Sequence, residues 1–167
     1  MHLYLLRHAI AIPRGTPGYP NDDRPLTEVG VRKMKRGAKG LARIVPRLDA
    51  LLTSPLERAH HTARIAAEAL HCLDRVQVCE ALLPGCGELE VFEALRLLAG
   101  ASHVLLVGHE PGLGELASAL LGTPRNIFEF RKAGAARIHV GSIPPERPGR
   151  LIWHLTPKQL RALGARR

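Results

Sequence analysis

Aromatic side chains are scarce in this chain: one Trp, two Tyr and three Phe, 4% of 167 residues. Proteins that hold single-stranded nucleic acid stack its bases on such rings. The scarcity therefore weighs against that class, although 24 Lys+Arg against 15 Asp+Glu leave a formal charge of +9 that would attract any anion. Cysteine is scarce too, and Cys72, Cys79 and Cys86 are odd in number and widely spaced. They suit neither a disulfide framework nor a zinc site of the usual spacing, so buried free thiols are expected. No apolar run approaches the roughly 18 residues of a membrane span. Met1-His2-Leu3-Tyr4 lacks the basic leader and cleavage site of a secretory signal, so the expected location is the cytoplasm, with no membrane partner. No dense carboxylate cluster offers itself to Mg²⁺, and neither metal nor cofactor is expected.

What is present is an ordinary globular balance, 46% apolar and 23% charged, of a length that suits one domain over residues 1–167. Leu3-Tyr4-Leu5-Leu6 reads as a central strand buried on both faces, running into Arg7-His8. The stretch from Ala11 to Pro25 holds four prolines and two glycines and is a loop. Thr27 is a helix N-cap, after which Val31, Met34, Ala38, Leu41, Ala42 and Val45 recur at helical spacing and Pro46 closes the segment. Asp49–Thr53 reads as a second strand. Ser54-Pro55-Leu56-Glu57 then combines an N-cap, a proline at the first helical position and a capping-box glutamate. A third strand over Val76–Glu80 precedes a helix near Glu88–Leu98. A fourth, His103–Gly108, precedes a helix of about ten residues opening at Glu110-Pro111. Strands over Ala135–Val140 and Leu151–Leu155 flank a Pro-rich turn, and a short helix over Pro157–Leu163 ends in basic residues. Strands alternating with helices predict an α/β fold, a three-layer α/β/α sandwich with a mostly parallel central sheet.

In open α/β sheets ligands bind at the carboxyl ends of the strands. Those positions hold Arg7 and His8 after the first strand, Glu80 after the third and His109 after the fourth. Arg58, in the first turn of the helix after the second strand, joins them. A neutral imidazole is a good nucleophile toward phosphorus. Two guanidiniums match phosphate oxygens in pairs, and a second imidazole adds a hydrogen bond to the charge on the transferring group. Phosphoryl transfer needs mainly positioning and charge stabilisation, so this inventory is sufficient without a metal.

These residues lie in segments with a familiar look. Leu6-Arg7-His8-Ala9 resembles the Arg-His-Gly signature of the histidine phosphatase superfamily, the phosphoglycerate-mutase-like fold. Ser54-Pro55-Leu56-Glu57-Arg58-Ala59 with Thr62 resembles its second motif, and Val107-Gly108-His109-Glu110-Pro111 its third. Arg24-Pro25-Leu26-Thr27-Glu28-Val29-Gly30 is similar to the segment that opens the family's first helix. Short length, compact loops and the turn Glu80-Ala-Leu-Leu-Pro84-Gly-Cys-Gly87 resemble the SixA-type phosphohistidine phosphatases. The resemblance implies that His8 is the nucleophile and that Arg7, Arg58 and His109 bind the phosphoryl group. Ala9 stands where Gly is commoner. Glu80 lies near the position of the acid that larger members use on alkoxide leaving groups, and a phosphoramidate substrate has less need of one.

Ser54 reads as a cap rather than a nucleophile, Thr62 as packing or a helix back-bond, and His60 and His61 as surface residues. The basic face from Arg32 to Arg43 reads as solvated surface. The leading reading is a phosphatase acting on phosphohistidine carried by a protein. A general phosphomonoesterase on small phosphate esters is the alternative, favoured if Glu80 proves essential. A mutase would need enclosing insertions that the chain lacks. Outside those, a basic nucleic-acid-binding protein has no recognised motif behind it, and a non-catalytic phosphate-binding relic would not keep Arg7, His8, Arg58 and His109 intact.

Overall fold

The computed structural model describes residues 1–19, 22–98, 100–124 and 127–165. Pro20 and Asn21 of the loop, Ala99 just past the expected third helix, Arg125 and Asn126, and the terminal Arg166 and Arg167 lie outside them. The described residues form strands β1 (His2–Arg7), β2 (Ala50–Thr53), β3 (Val76–Val78), β4 (His103–Gly108), β5 (Ala135–His139) and β6 (Arg150–Leu155). Helices α1 (Glu28–Leu41), α2 (Glu57–Ala69), α3 (Glu88–Arg96), α4 (Gly112–Leu121) and α5 (Pro157–Ala165) complete the set. One sheet runs in the order β3-β2-β4-β1-β5-β6. The pairs β3–β2, β2–β4 and β4–β1 are parallel, whereas β5 runs antiparallel to both its neighbours. The sheet is thus mostly parallel, as the alternation of elements predicts.

Side-chain parity along the strands builds two cores, because successive residues point to opposite faces. Tyr4 and Leu6 of β1, Leu51 of β2, and Leu105 and Val107 of β4 pack with Met34, Ala38, Ala63 and Leu160 of α1, α2 and α5. Leu3, Leu5, Leu52, Val104 and Leu106 pack with Phe92, Leu95, Leu116 and Leu120 of α3 and α4. These strand residues are at most 5% exposed, which explains why β1 and β4 read as continuous apolar runs rather than alternating ones. On the first face α1 and α5 cross with backbones touching. A Cβ at Gly40 would run into the Leu160 carbonyl, and one at Gly164 into that of Arg36. That crossing holds the last helix against the sheet.

Two helix starts differ in kind. Thr27 caps α1 as expected, its Oγ1 accepting the Gly30 N–H at 3.0 Å. Helix α2 does not start at Ser54-Pro55. Its N-cap is Leu56, and the amide of Glu57 donates to Asp23 Oδ1 at 2.8 Å, so a loop carboxylate does the work expected of Ser54. The third strand also stops early, at Val78, and Glu80 opens a short 3₁₀ turn over Glu80–Leu82 instead of ending a strand.

Candidate active site

Parallel register gathers the site. Arg7 pairs with Gly108 and Leu6 with Val107, while Thr53 pairs with Val107 from the other side of β4. The backbone continues the alignment one residue further, with the His8 amide donating to Gly108 O and the Ser54 amide to Val107 O, both at 3.0 Å. His8, Ser54 and His109 therefore leave three adjacent strands at one edge. The imidazoles of His8 and His109 stand 5.0 Å apart, centroid to centroid. Arg58 reaches the same edge from the first turn of α2. His8, Arg58 and His109 are 6%, 2% and 5% exposed.

Each of these side chains is fixed at one end. His8 Nδ1 lies 2.7 Å from the Ala9 carbonyl, so Nδ1 carries the proton and donates, and Nε2 keeps its lone pair. Arg7 Nη1 donates to Phe130 O at 2.5 Å. Arg58 Nη1 donates to the Asp22 carbonyl at 2.6 Å and Nη2 to Asp22 Oδ2 at 3.1 Å. His109 Nε2 lies 2.9 Å from Ser54 Oγ. The other ends are unmatched. Among the described residues the buried side-chain nitrogens and oxygens without a hydrogen-bond partner are Arg7 Nε, Arg58 Nε and His109 Nδ1. An orphaned buried donor costs about 1–3 kcal/mol. An anion at this edge would complete the two guanidinium donors, and His109 Nδ1 with them when it carries the ring proton.

Supporting contacts lock the frame. Thr62 Oγ1 donates to the Arg58 carbonyl at 2.6 Å and accepts the Ala9 amide at 3.0 Å, which ties the first turn of α2 to the His8 segment. The helix back-bond expected of Thr62 is there, together with a second bond that sequence could not show. Glu110 accepts the Phe130 amide on Oε1 (2.5 Å) and the Gly114 amide on Oε2 (3.2 Å), holding the loop whose carbonyl grips Arg7. The Ala133 amide, at φ +62°, is shared by the Arg7 and His8 carbonyls at 3.1 Å each.

Electrostatics keep both imidazoles neutral. Burial is the main cause that lowers His8 to about 4, with the cations of Arg58, Arg7 and Lys132 adding to it against the opposing bond to Ala9. Burial likewise lowers His109 to about 3, helped by His8, Arg58 and Arg7. Asp22 is held ionised, well below the usual carboxylate range, first by its bond from Arg14 and then by Arg24 and Arg58. Glu110 moves the other way, raised by burial.

Of the residues singled out in sequence, Arg7, His8, Arg58 and His109 come together, and Glu80 opens the turn that walls the cleft beside His109. Glu80 follows β3, the edge strand, and opens the turn whose Leu82 carbonyl comes back against Gly108 of β4. Its side chain is exposed. Although β3 ends at Val78, that residue pairs with Thr53 and Thr53 with Val107, so the chain reaches the shared edge before it turns at Glu80. The turn after it still matters, since Leu82, Leu83, Pro84, Cys86 and Gly87 wall a small cleft beside His109. Sequence reading missed Asp22, Phe130 and Lys132. Asp22 stands two residues before Arg24 in the segment similar to the family's helix opening, and nothing local marks it. Among the described residues no group of three or more His, Cys, Asp or Glu side chains is placed to hold a metal ion.

An α/β sheet whose carboxyl edge carries a neutral histidine among unmatched cationic and imidazole donors defines an anion-handling class of protein. The comparisons with known proteins say which. The model of the histidine phosphatase superfamily (branch 1) matches residues 3–83. A relative from Picosynechococcus sp., itself uncharacterized, is 38% identical over 147 residues, spanning 85% of this chain and 87% of its own. The structure of the protein histidine phosphatase SixA complexed with tungstate superposes with a TM-score of 0.83 at 24% identity, over 96% of this chain and 99% of that one. A mycobacterial glucosyl-3-phosphoglycerate phosphatase superposes with a TM-score of 0.72 at 20% identity, over 93% and 98% of the two chains. The chain belongs to the histidine phosphatase superfamily.

Proposed function

We propose that this protein removes phosphoryl groups through a phosphohistidine formed on His8, and that its preferred substrate is phosphohistidine displayed on another protein. The observation that carries the first part is the set of three buried donors without partners, Arg7 Nε, Arg58 Nε and His109 Nδ1, beside an imidazole whose Nε2 lone pair is unused. His8 Nε2 attacks phosphorus in line. The bond between phosphorus and the substrate nitrogen breaks, and that nitrogen takes a proton from solvent. Water then attacks the phosphorus on His8, releasing inorganic phosphate and restoring the lone pair. The guanidiniums of Arg7 and Arg58 and the His109 N–H take up the charge that grows on the phosphoryl oxygens, with no metal required.

The second part rests on the carboxylates. An alkoxide leaving group needs a proton from a well-placed acid, whereas a phosphoramidate leaves as a nitrogen base that water can protonate. Besides Asp23, which caps α2, three acidic side chains lie at or near this edge. Asp22 is ionised and bonded to arginines, Glu110 spends both oxygens on backbone amides, and Glu80 is exposed to solvent. With Asp22 and Glu110 committed elsewhere and Glu80 left to solvent, the site lacks a buried acid free to protonate an alkoxide among the described residues, which favours the nitrogen leaving group over small phosphate esters.

The test is a substrate panel: a phosphohistidine protein, a phosphohistidine peptide and simple phosphate esters, each with and without a chelator, using wild type and His8→Ala. The expected result is turnover of the phosphohistidine protein by wild type, insensitive to chelation and abolished by His8→Ala. Retained turnover in His8→Ala would sink the mechanism. Faster hydrolysis of simple esters than of phosphohistidine would sink the substrate.

A further inference from the structure

A neutral imidazole carries its one N–H on either Nδ1 or Nε2, and the choice decides whether the nitrogen that meets an anion attracts or repels it. The surroundings of His109 make that choice. Its Nε2 lies 2.9 Å from Ser54 Oγ, and Ser54 is fully buried. A hydroxyl has one proton to give and lone pairs to fill. The Leu56 amide, 3.4 Å away, donates to a lone pair of Ser54 Oγ. Among the described residues the one remaining neighbour for the Ser54 proton is His109 Nε2. Were Nε2 protonated, it would face the hydroxyl as a second donor, the Ser54 proton would be stranded in a dry site, and Nδ1 would be a buried lone pair with nothing to accept. With Nε2 bare, the hydroxyl proton is used and the ring's own proton sits on Nδ1, the atom the fold leaves unmatched.

We infer that Ser54 is a positioning residue that fixes His109 as its Nδ1–H tautomer and so turns a hydrogen-bond donor, not a lone pair, toward the transferring phosphoryl group. The inference deepens the function proposed above and rests on it. Both histidines are then the same tautomer used from opposite ends. His8 spends its Nδ1–H on the Ala9 carbonyl and offers a nucleophilic Nε2, while His109 spends its Nε2 on Ser54 and offers a donating Nδ1–H. Ser54 can do this because β2 and β4 are in register. Its amide is bonded to Val107 O, so the hydroxyl is held by the same strand that carries the imidazole.

The wild-type protein labelled with ¹⁵N-histidine reads the tautomer directly, since the bare ring nitrogen resonates far downfield of the protonated one. At neutral pH His109 should show a protonated Nδ1 and a bare Nε2; the reverse pattern overturns the inference whatever the activity. Ser54→Ala should move His109 toward the Nε2–H tautomer and lower kcat/KM on a phosphohistidine protein by about 10- to 100-fold, at or below the loss of a whole oxyanion donor. Ser54→Thr, which keeps the hydroxyl, should restore both the tautomer and most of the rate. A Ser54→Ala protein that keeps the Nδ1–H tautomer, or a Ser54→Thr protein that keeps the tautomer yet is as slow as Ser54→Ala, overturns the assignment in favour of a packing role. A wild type inactive on every phosphorylated substrate but showing Nδ1–H would sink the phosphatase reading and leave the tautomer standing.

Discussion

Strands β1 and β4 carry histidine and arginine chemistry at both ends, and the two ends differ in how their polar atoms are matched. At the carboxyl edge His8 and His109 meet Arg7 and Arg58. At the opposite edge His2 of β1, His103 of β4 and His139 of β5 stand side by side in register, with ring centroids 5.0 and 4.6 Å from that of His2. Arg137 donates from Nε to His2 Nδ1 at 3.3 Å and lies 5.5 Å over the Tyr4 ring, and Tyr4 Oη is 2.9 Å from His103 Nδ1. Burial, together with Arg137, lowers His2 to about 4, the value that His8 reaches at the other end. Residue type and titration therefore look alike at the two edges. Unmatched buried donors separate them, because all three lie at the carboxyl edge. At the opposite cluster no buried side-chain nitrogen or oxygen among the described residues lacks a partner.

Substitution should break the symmetry sharply. Arg7→Ala or Arg58→Ala should each lower kcat/KM on a phosphohistidine protein by two to three powers of ten, as for a lost oxyanion donor. Arg137→Ala should leave the rate unchanged and cost about 1 kcal/mol in urea unfolding, the worth of one hydrogen bond and a half-exposed cation–π contact. Equal kinetic losses at both ends would contradict the distinction.

Acid probes the two edges through stability. His8 and His109 bind fewer protons folded than unfolded between about pH 4 and 6.5, so stability is complete above that window and falls as pH drops through it. At 1.36 kcal/mol per pKa unit, each should remove about 3 kcal/mol by pH 4. His109→Gln should flatten the decline between pH 6.5 and 4 as followed by denaturant titration, and His139→Gln, at the exposed end, should flatten it much less. The smallest effect belongs to the rim. Lys132 is exposed, and its charge acts on His8. Lys132→Ala should change turnover by about threefold or less at low salt and by less still at high salt, where screening removes its field.

Much of this was legible in the sequence where local rules and the site coincide. Continuous apolar runs gave away β1 and β4, and each ends directly in the residue that reaches the pocket. The Thr27 cap was equally plain. Legibility failed where a partner comes from far along the chain. Ser54 has every local mark of an N-cap, yet its hydroxyl is engaged 55 residues away by His109 while Asp23 serves the helix. Glu80 was placed by counting to a strand end, and the strand stopped two residues earlier. The Asp22 carboxylate and the Phe130 carbonyl, which hold the two arginines, carry no pattern of their own. Pinning groups of this kind are set by tertiary contact, so no window of sequence can display them.

The pairing of β1 has a consequence for how the protein is made. This strand carries Arg7 and His8, but its hydrogen-bonded neighbours are β4 and β5, which begin at His103 and Ala135. On a ribosome adding about 5 to 20 residues per second, this strand emerges and then waits roughly 5 to 20 seconds for its first partner. Throughout that interval His8 lacks the strand that carries its neighbour His109. A truncated product ending before β4 would thus contain Arg7, His8 and Arg58 without the strand that brings His109 beside them.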